Sequence, residues 1–352
     1  MIALHRIDHV ALRVADLDEA ARRWALEFGL TERLRGDGRV ALSCDDEPVA
    51  LELLAAAGGA GAGAAGGAGG GGGAGEGAVA FDAGGPGFDH VGWELARGCT
   101  LDDAAAHLDG LGVACERVAG IGDRAGADVL RLRDREGNGV ELLPYRAPAN
   151  RLTAFARPAG ALPVGHPRKL GHVNFLTAAI REQVGFYADA LGMRLTDWLG
   201  DGGAWLHVNH DHHAMALVDK GYPHFHHLAL DVVDVGQMRT ALDHLGRHGR
   251  WLGWGPTRHG VGGNIASYVR IVEEECFVEL YCDMELLAAD HEPREWPDDR
   301  RSSNTWGPLP PRSYFRFDAA AVASERESLE ALGRPLPPAP APVPAPTATA
   351  SS

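Results

Sequence analysis

Leu170-Gly171-His172-Val173-Asn174 opens an apolar stretch, and the residues from Ala179 to Gly192 then read as an amphipathic helix that stops at a glycine. The same order occurs earlier: Ile7-Asp8-His9-Val10, then Asp16 to Gly29, with His9 and His172 163 positions apart. A second kind of opening, Phe225-His226-His227-Leu228, is matched by Phe88-Asp89-His90-Val91 at an offset of 137. Each of these leads into a helix, Leu101–Leu111 or Val235–Leu245, and then into short strands ending in GVELL or FVELY. Strands such as Ala204-Trp205-Leu206-His207-Val208 alternate apolar and polar residues, the two-residue period of a half-buried strand. Self-similarity at a fixed offset marks a duplicated unit. The chain therefore predicts an α+β fold of four βαβββ units in two tandem modules. Each module's paired sheets are expected to curl into a half-open barrel around a small-ligand cavity.

The offsets differ by 26 residues, about the length of the Gly/Ala run at 55–79, which so falls between the two units of the first module. That run has no core-forming side chains and reads as a flexible insert; it lacks the strand, helix and Lys-Ser/Thr of a phosphate-binding loop. The expected organisation is a first module over 1–150, a second, catalytic module over 165–290, a covering segment over 291–320 and a disordered Pro/Ala-rich tail over 334–352. The length, 352 residues, suits two domains, and 45% apolar residues suit a soluble core. A net charge of −15 argues against nucleic-acid or anionic-membrane binding. Five cysteines without a CxxC pair argue against a disulfide framework or a structural zinc knot and fit a reducing cytoplasm. The N-terminus carries no signal-peptide pattern, and no apolar run is long enough to span a bilayer.

A lone histidine at a strand start is more often a core or cap residue than a ligand. Here the repeat sets His172 and His227 at matched points of matched units, and Glu279 follows on the last strand, with Tyr281 on its face. Two imidazoles and one carboxylate are the facial set that holds Fe(II) with positions left open. Module one carries His9, His90 and Glu141 at the equivalent positions, which leaves a second metal open; the plainer reading is a vestige of duplication, since no further partner residues are evident in that module. His212, His224 and His226 read equally well as surface residues.

On these residues the chain resembles the vicinal oxygen chelate superfamily, and within it the type I extradiol dioxygenases of the homoprotocatechuate and catechol 2,3-dioxygenase kind. The likeness runs over 5–54 and 88–316. GHVN supplies His172 and Asn174; AWLHVNHDHHAMAL supplies Trp205 and His213; FHHLAL supplies His227; GPTRHGVGGNIASY supplies His259 and Tyr268; FVELY supplies Glu279. The resemblance implies a cytoplasmic homo-oligomer that cleaves a catechol beside its diol, with Fe(II), or alternatively Mn(II), on His172, His227 and Glu279 and O2 as co-substrate. It makes His213 the acid–base group, His259 and Tyr268 hydrogen-bonding partners of substrate and oxygen, Asn174 and Trp205 pocket residues, and 296–316, with Trp306, Pro310 and Tyr314, a lid.

Three positions depart from the family pattern. Glu273-Glu274-Glu275-Cys276 replaces an Asp-Pro-x-Gly turn and is one residue longer, and Trp254 stands where the homoprotocatechuate branch has an arginine. Arg300 and Arg301, the candidates to grip a substrate carboxylate, come about two residues early, with Ser302 and Ser303 nearest the expected place. Two rival functions share this pattern: a metal-dependent isomerase or lyase of the glyoxalase type, which wants four protein ligands, and a non-catalytic small-molecule binder.

Overall fold

The structure is a computed structural model that describes residues 2–36, 38–44, 47–60, 84–120, 124, 126–147 and 166–331. Its first helix shows why the duplicated pattern folds as it does. In α1 (Leu17–Phe28), Asp16 caps the start by accepting from the Glu19 amide at 2.9 Å, and Gly29 ends it at φ 69°, a conformation glycine adopts without a Cβ penalty. Leu17, Ala20, Ala21, Trp24 and Phe28 recur on one face, and all are buried against the sheet.

Module one runs β1 (Leu4–Asp16), α1, β2 (Thr31–Gly36), β3 (Arg39–Ser43), β4 (Leu51–Ala60), β5 (Gly87–Leu95), α2 (Leu101–Gly110), β6 (Cys115–Ala119), β7 (Asp128–Arg133) and β8 (Gly139–Leu143). Module two repeats the order: β9 (Lys169–Thr177), α3 (Ile180–Asp189), β10 (Arg194–Leu199), β11 (Gly203–His207), β12 (Met215–Asp219), β13 (His224–Asp231), α4 (Val235–Arg247), β14 (Leu252–Arg258), β15 (Ile265–Ile271) and β16 (Cys276–Cys282). The sheets are open, in the orders β2-β3-β4-β1-β5-β8-β7-β6 and β14-β15-β16-β13-β9-β12-β11-β10-β17, the last strand being β17 (Arg294–Trp296). In both, the first strands of the two units pair antiparallel at the centre (β1 with β5, β9 with β13), and each unit's last strand lies parallel to its first. The expected α+β fold of tandem βαβββ pairs with unclosed sheets is the one observed.

One expectation needs correcting. Residues 55–60, assigned to the flexible insert, continue β4 alongside β1, since an Ala/Gly backbone can still complete a ladder where a strand offers one. The rest of that run and the 334–352 tail lie outside the described residues.

The modules pack through their equivalent residues. Phe88 stacks on Phe225 with ring centroids 4.5 Å apart, and Phe175 meets both edge-on. The unusual Glu273-Glu274-Glu275 turn belongs to this contact. Glu274 is buried and takes both ends of the Arg23 guanidinium, at 2.5 and 3.1 Å, while Glu273 takes Arg250. The extra residue is absorbed in the turn, where Glu275 adopts φ 52°; the β15–β16 ladder runs unbroken from Ile265–Cys282 to Ile271–Cys276.

After β16 the chain returns across the second module through β17, α5 (Arg300–Ser303), a 3-10 turn (Arg312–Phe315) and α6 (Ala319–Ala331). α6, absent from the sequence reading, is tied down by Glu325, which accepts from the buried Arg270 at 2.7 Å twice and from Trp251 at 2.7 Å. Arg270 also donates to the Ser313 and Arg316 carbonyls, which fixes the 3-10 turn against the sheet.

Candidate metal centre

Ladder register brings three ligand-type side chains together. On the central strand β13, His227 and Ala229 share a face; β9 sets His172 opposite Ala229 from one side, and β16 sets Glu279 beside Ala229 from the other. The small Ala229 leaves the space the three larger groups converge on. His172 Nε2 and His227 Nε2 each lie 3.0 Å from Glu279 Oε2, and all three residues are buried. Donors about 2.1 Å from one ion sit about 3.0 Å apart when adjacent, so the spacing suits a divalent ion. Among the described residues His227 Nε2 meets no hydrogen-bond geometry, although Glu279 Oε2 is 3.0 Å away and close enough to interact electrostatically. A buried nitrogen so placed, with a carboxylate beside it, fits a metal. His172 Nδ1 also lacks a partner, so among the described residues nothing orients that ring from behind.

The other two donors are oriented by neighbours that the sequence reading passed over. His226 Nε2 donates to the Tyr314 carbonyl at 3.0 Å, which leaves its Nδ1 to accept from His227 Nδ1 at 2.8 Å. That network assigns the His227 proton to Nδ1 and turns a bare Nε2 to the centre. Asn264 Nδ2 donates to Glu279 Oε1 at 3.0 Å, leaving Oε2 for the ion. The reading of His212 and His226 as surface residues is overturned: they are 0% and 1% exposed. His224 is half-buried, its ring stacked on Phe317. The adjacent pairs His212-His213 and His226-His227 were the available signal, since neighbouring rings can hydrogen-bond one another through Nδ1 as they do here.

His213 is backed in the same way. Asp197, fully buried and held low, to about 2, by hydrogen bonds from His212, Arg294 and Trp296 that outweigh its burial, accepts from His212 Nε2 at 3.0 Å. His212 Nδ1 then accepts from His213 Nδ1 at 3.0 Å, which leaves His213 Nε2 as an acceptor. Burial, with His172 and His212 adding, pushes the His213 pKa well below the ordinary histidine value, so the ring is a neutral base. Its ring centroid lies 4.2 Å from that of His172.

Tyr268, opposite Glu279 in the ladder, donates to His259 Nε2 at 2.7 Å, and His259 Nδ1 donates to the Ser303 carbonyl at 2.8 Å. Burial lowers the His259 pKa and raises that of Tyr268 well above 10, so both are neutral.

These groups line one cavity of about 380 Å³ that also reaches Asn174, Trp205 and Trp254. Trp254 stacks on Tyr268 at 5.4 Å. The covering segment contributes Ser302, Ser303, Leu309, Pro310, Tyr314 and Phe315. Tyr314 is buried on Tyr268, whereas Trp306 is 55% exposed and outside the lining, against expectation. Arg300 and Arg301 also need correcting. Both are exposed on α5 and outside this cavity, because the helix turns Ser302 and Ser303 inward instead. Among the described residues, Lys220 is the one Lys or Arg in the lining.

In module one, His9 and His90 do converge, but the third donor within 4.8 Å is Glu52. Glu141, the residue expected there, is held by Arg131 at 3.0 Å and approaches His90 only to 3.9 Å.

Comparisons with known proteins agree with this architecture. A family model described as the glyoxalase/bleomycin resistance protein/dioxygenase superfamily matches residues 6–142 and 169–274. Metapyrocatechase 2 of Cupriavidus necator is 34% identical over 156 residues, 43% of this chain and 48% of that protein, so the match spans about half of the relative. Among solved structures, the Mn(II)-bound glyoxalase from Novosphingobium aromaticivorans superposes with a TM-score of 0.70 at 22% identity, over 89% of this chain and 94% of that one. Homoprotocatechuate 2,3-dioxygenase from Brevibacterium fuscum, in complex with 3,4-dihydroxyphenylacetate, superposes with a TM-score of 0.71 at 20% identity, over 89% and 92%. At those identities the structural likeness speaks for the fold.

Proposed function

The chain belongs to the glyoxalase/bleomycin resistance protein/dioxygenase superfamily, and from that premise we propose that it is an extradiol dioxygenase acting on a catechol. The observation that carries the reading is the combination in one cavity of a three-donor set with a neutral base and a neutral Tyr–His pair. The rival isomerase reading wants a fourth ligand, and the position that would supply it in module two is Ala216, paired with Asn174 on β9. A three-donor set leaves positions free, which is what a chelating diol and O2 require.

His172, His227 and Glu279 would hold Fe(II), with Mn(II) as the alternative. The bound ion would lower the pKa of the coordinated diol and transfer electron density between ring and oxygen. His213, through its free Nε2, takes a catechol hydroxyl proton and later returns it, work suited to an imidazole kept neutral by burial. Tyr268 points its hydroxyl proton at His259 Nε2, which leaves its oxygen as an acceptor for the substrate hydroxyl. As negative charge develops on the substrate, the Tyr268 hydroxyl turns its hydrogen bond to that oxygen and keeps its proton. Trp205, Trp254, Leu309 and Pro310 exclude water from the ring, and 291–320 acts as the lid.

The substrate we favour is an uncharged catechol. Trp254 stands at the wall where a guanidinium would meet a carboxylate, and the Lys220 ammonium lies 4.3 Å over the Phe315 ring. We propose a cytoplasmic homo-oligomer, consistent with five free thiols. The test is O2 consumption by anaerobically prepared, Fe(II)-loaded protein with catechol, alkylcatechols and 3,4-dihydroxyphenylacetate. Uptake with a yellow ring-opened product supports the reading. No uptake with any catechol, at one iron per module-two site, refutes it in favour of an isomerase or lyase.

A further inference from the structure

The chain that returns over the module-two cavity is attached in two different ways along its length. Its first part is joined to the module through backbone. β17 pairs with β10 from Asp197–Arg294 to Leu199–Trp296. The Ser302 carbonyl accepts from the Gly260 and Val261 amides at 3.0 and 3.1 Å, and the Thr305 amide donates to the Arg258 carbonyl at 2.7 Å. From Leu309 to Ala331 the backbone bonds are internal, as from Tyr314 to Pro311 and from Ala321 to Asp318. Among the described residues no backbone–backbone bond joins this stretch to the sheet.

Side chains hold it instead, and Arg270 of β15 is at their centre. Its side chain is 2% exposed. It donates to the Ser313 carbonyl at 2.9 Å and to the Arg316 carbonyl at 3.1 Å, and its Nε and Nη2 reach the two oxygens of Glu325 at 2.7 Å each. Trp251 Nε1 also donates to Glu325, at 2.7 Å. The carbonyls give Arg270 partners without charge; among the described residues, Glu325 is the one carboxylate paired with it. Little else fastens α6, in which Ala321 alone is buried. Removing one side of a buried pair strands the other charge, which costs far more than losing an exposed pair. The easiest relief is for 309–331 to lift and let water reach Arg270, because no ladder has to break for it to do so.

The same stretch is part of the cavity wall. Leu309, Pro310, Tyr314 and Phe315 line the cavity, and Tyr314 packs on Tyr268 and Trp254 with ring centroids 5.1 and 5.3 Å apart. We propose that 309–331 is a movable cover latched by Glu325. Glu325 is then a positioning residue: through Arg270 and the 3-10 turn it holds this wall shut over whatever the cavity binds. It is outside the cavity lining, so it acts on the site only through the turn. The proposal rests on the catechol reading only for the identity of the occupant.

The experiment compares the full chain with its Glu325→Leu and Glu325→Gln variants, all in excess Mn(II). Gln keeps the length and one acceptor oxygen but not the charge. Amide hydrogen exchange is read peptide by peptide, and binding of 4-nitrocatechol is followed anaerobically by its absorbance. In Glu325→Leu, exchange over 312–331 should quicken on the order of 10-fold or more while β13 and β15 keep the parent's protection. The dissociation constant for 4-nitrocatechol should rise by about the same factor, since the closed state is the one that binds, and Glu325→Gln should fall between in both readouts. Exchange over 312–331 that matches the parent in both variants overturns the latch, whatever the chain catalyses. Faster exchange there with unchanged 4-nitrocatechol affinity overturns the positioning role. Protection lost equally across β13–β16 overturns it too, since that is the mark of a residue that merely stabilises the module. A parent that does not bind 4-nitrocatechol refutes the catechol reading instead, and the exchange data alone then decide the latch. If circular dichroism shows Glu325→Leu unfolded, Glu325→Gln decides.

Discussion

Replacing His226 with phenylalanine removes a hydrogen-bond acceptor behind the module-two centre while keeping a ring in place. His226 is 1% exposed and stacks on Phe277 at 5.3 Å, so a phenyl ring has room and apolar company. What goes is the acceptor for His227 Nδ1, 2.8 Å away, and the donor to the Tyr314 carbonyl, 3.0 Å away. A buried donor left without an acceptor costs about 1–3 kcal/mol. If that cost falls on the ring orientation that turns His227 Nε2 to the ion, it weakens metal binding about 10–100-fold, the range found when a partner behind a metal ligand is removed. The assay is anaerobic titration of metal-free protein with Mn(II), read by calorimetry, with the thermal midpoint of the metal-free chain as control. His226→Gln carries both an amide donor and an acceptor and should recover part of the loss. A His226→Phe protein that binds Mn(II) as tightly as the parent at the module-two centre refutes the argument that His226 sets the tautomer of His227.

His213→Asn should leave metal content intact and slow turnover about 10²–10⁴-fold, the usual contribution of a general acid–base group; unchanged turnover by steady-state O2 uptake would remove His213 from the mechanism. Arg300→Ala with Arg301→Ala should leave KM for both neutral and carboxylated catechols unchanged, because neither side chain lines the cavity; a rise confined to carboxylated substrates would restore their assigned role. Glu47→Gln tests a buried carboxyl at the module contact. Burial, only partly opposed by Arg6 and the Leu170 amide, raises its pKa to about 8. The folded chain then keeps a proton that the unfolded chain releases near pH 4.5, so stability is greatest below that value and falls as pH rises through 8. The loss is on the order of a few kcal/mol. Melting curves between pH 5 and 9 should flatten in Glu47→Gln, and a wild-type midpoint that does not fall over that range contradicts the shift.

The residues by themselves determined the duplicated α+β architecture, because helix caps, period-two strands and the 163- and 137-residue offsets are local or repeated signals. They also determined which two histidines and which glutamate come together in module two, since equivalent residues of a repeat occupy equivalent places. What backs those ligands was decided only by tertiary structure. The resemblance named His227 and His213 within their pairs, but nothing in the order of residues says that His226 and His212 accept from their Nδ1 atoms, or that Asp197 and Asn264 complete the hydrogen bonds, because those contacts depend on partners from other elements. Arg300 and Arg301 were misjudged for the same reason: a four-residue helix turns by about 100° per residue, so its capping by Asp299 decides that Ser302 and Ser303 face inward. In module one the repeat pointed to Glu141. The pairing of β4 beside β1 brought Glu52 to the histidines instead, and that pairing is a long-range contact that no local pattern encodes.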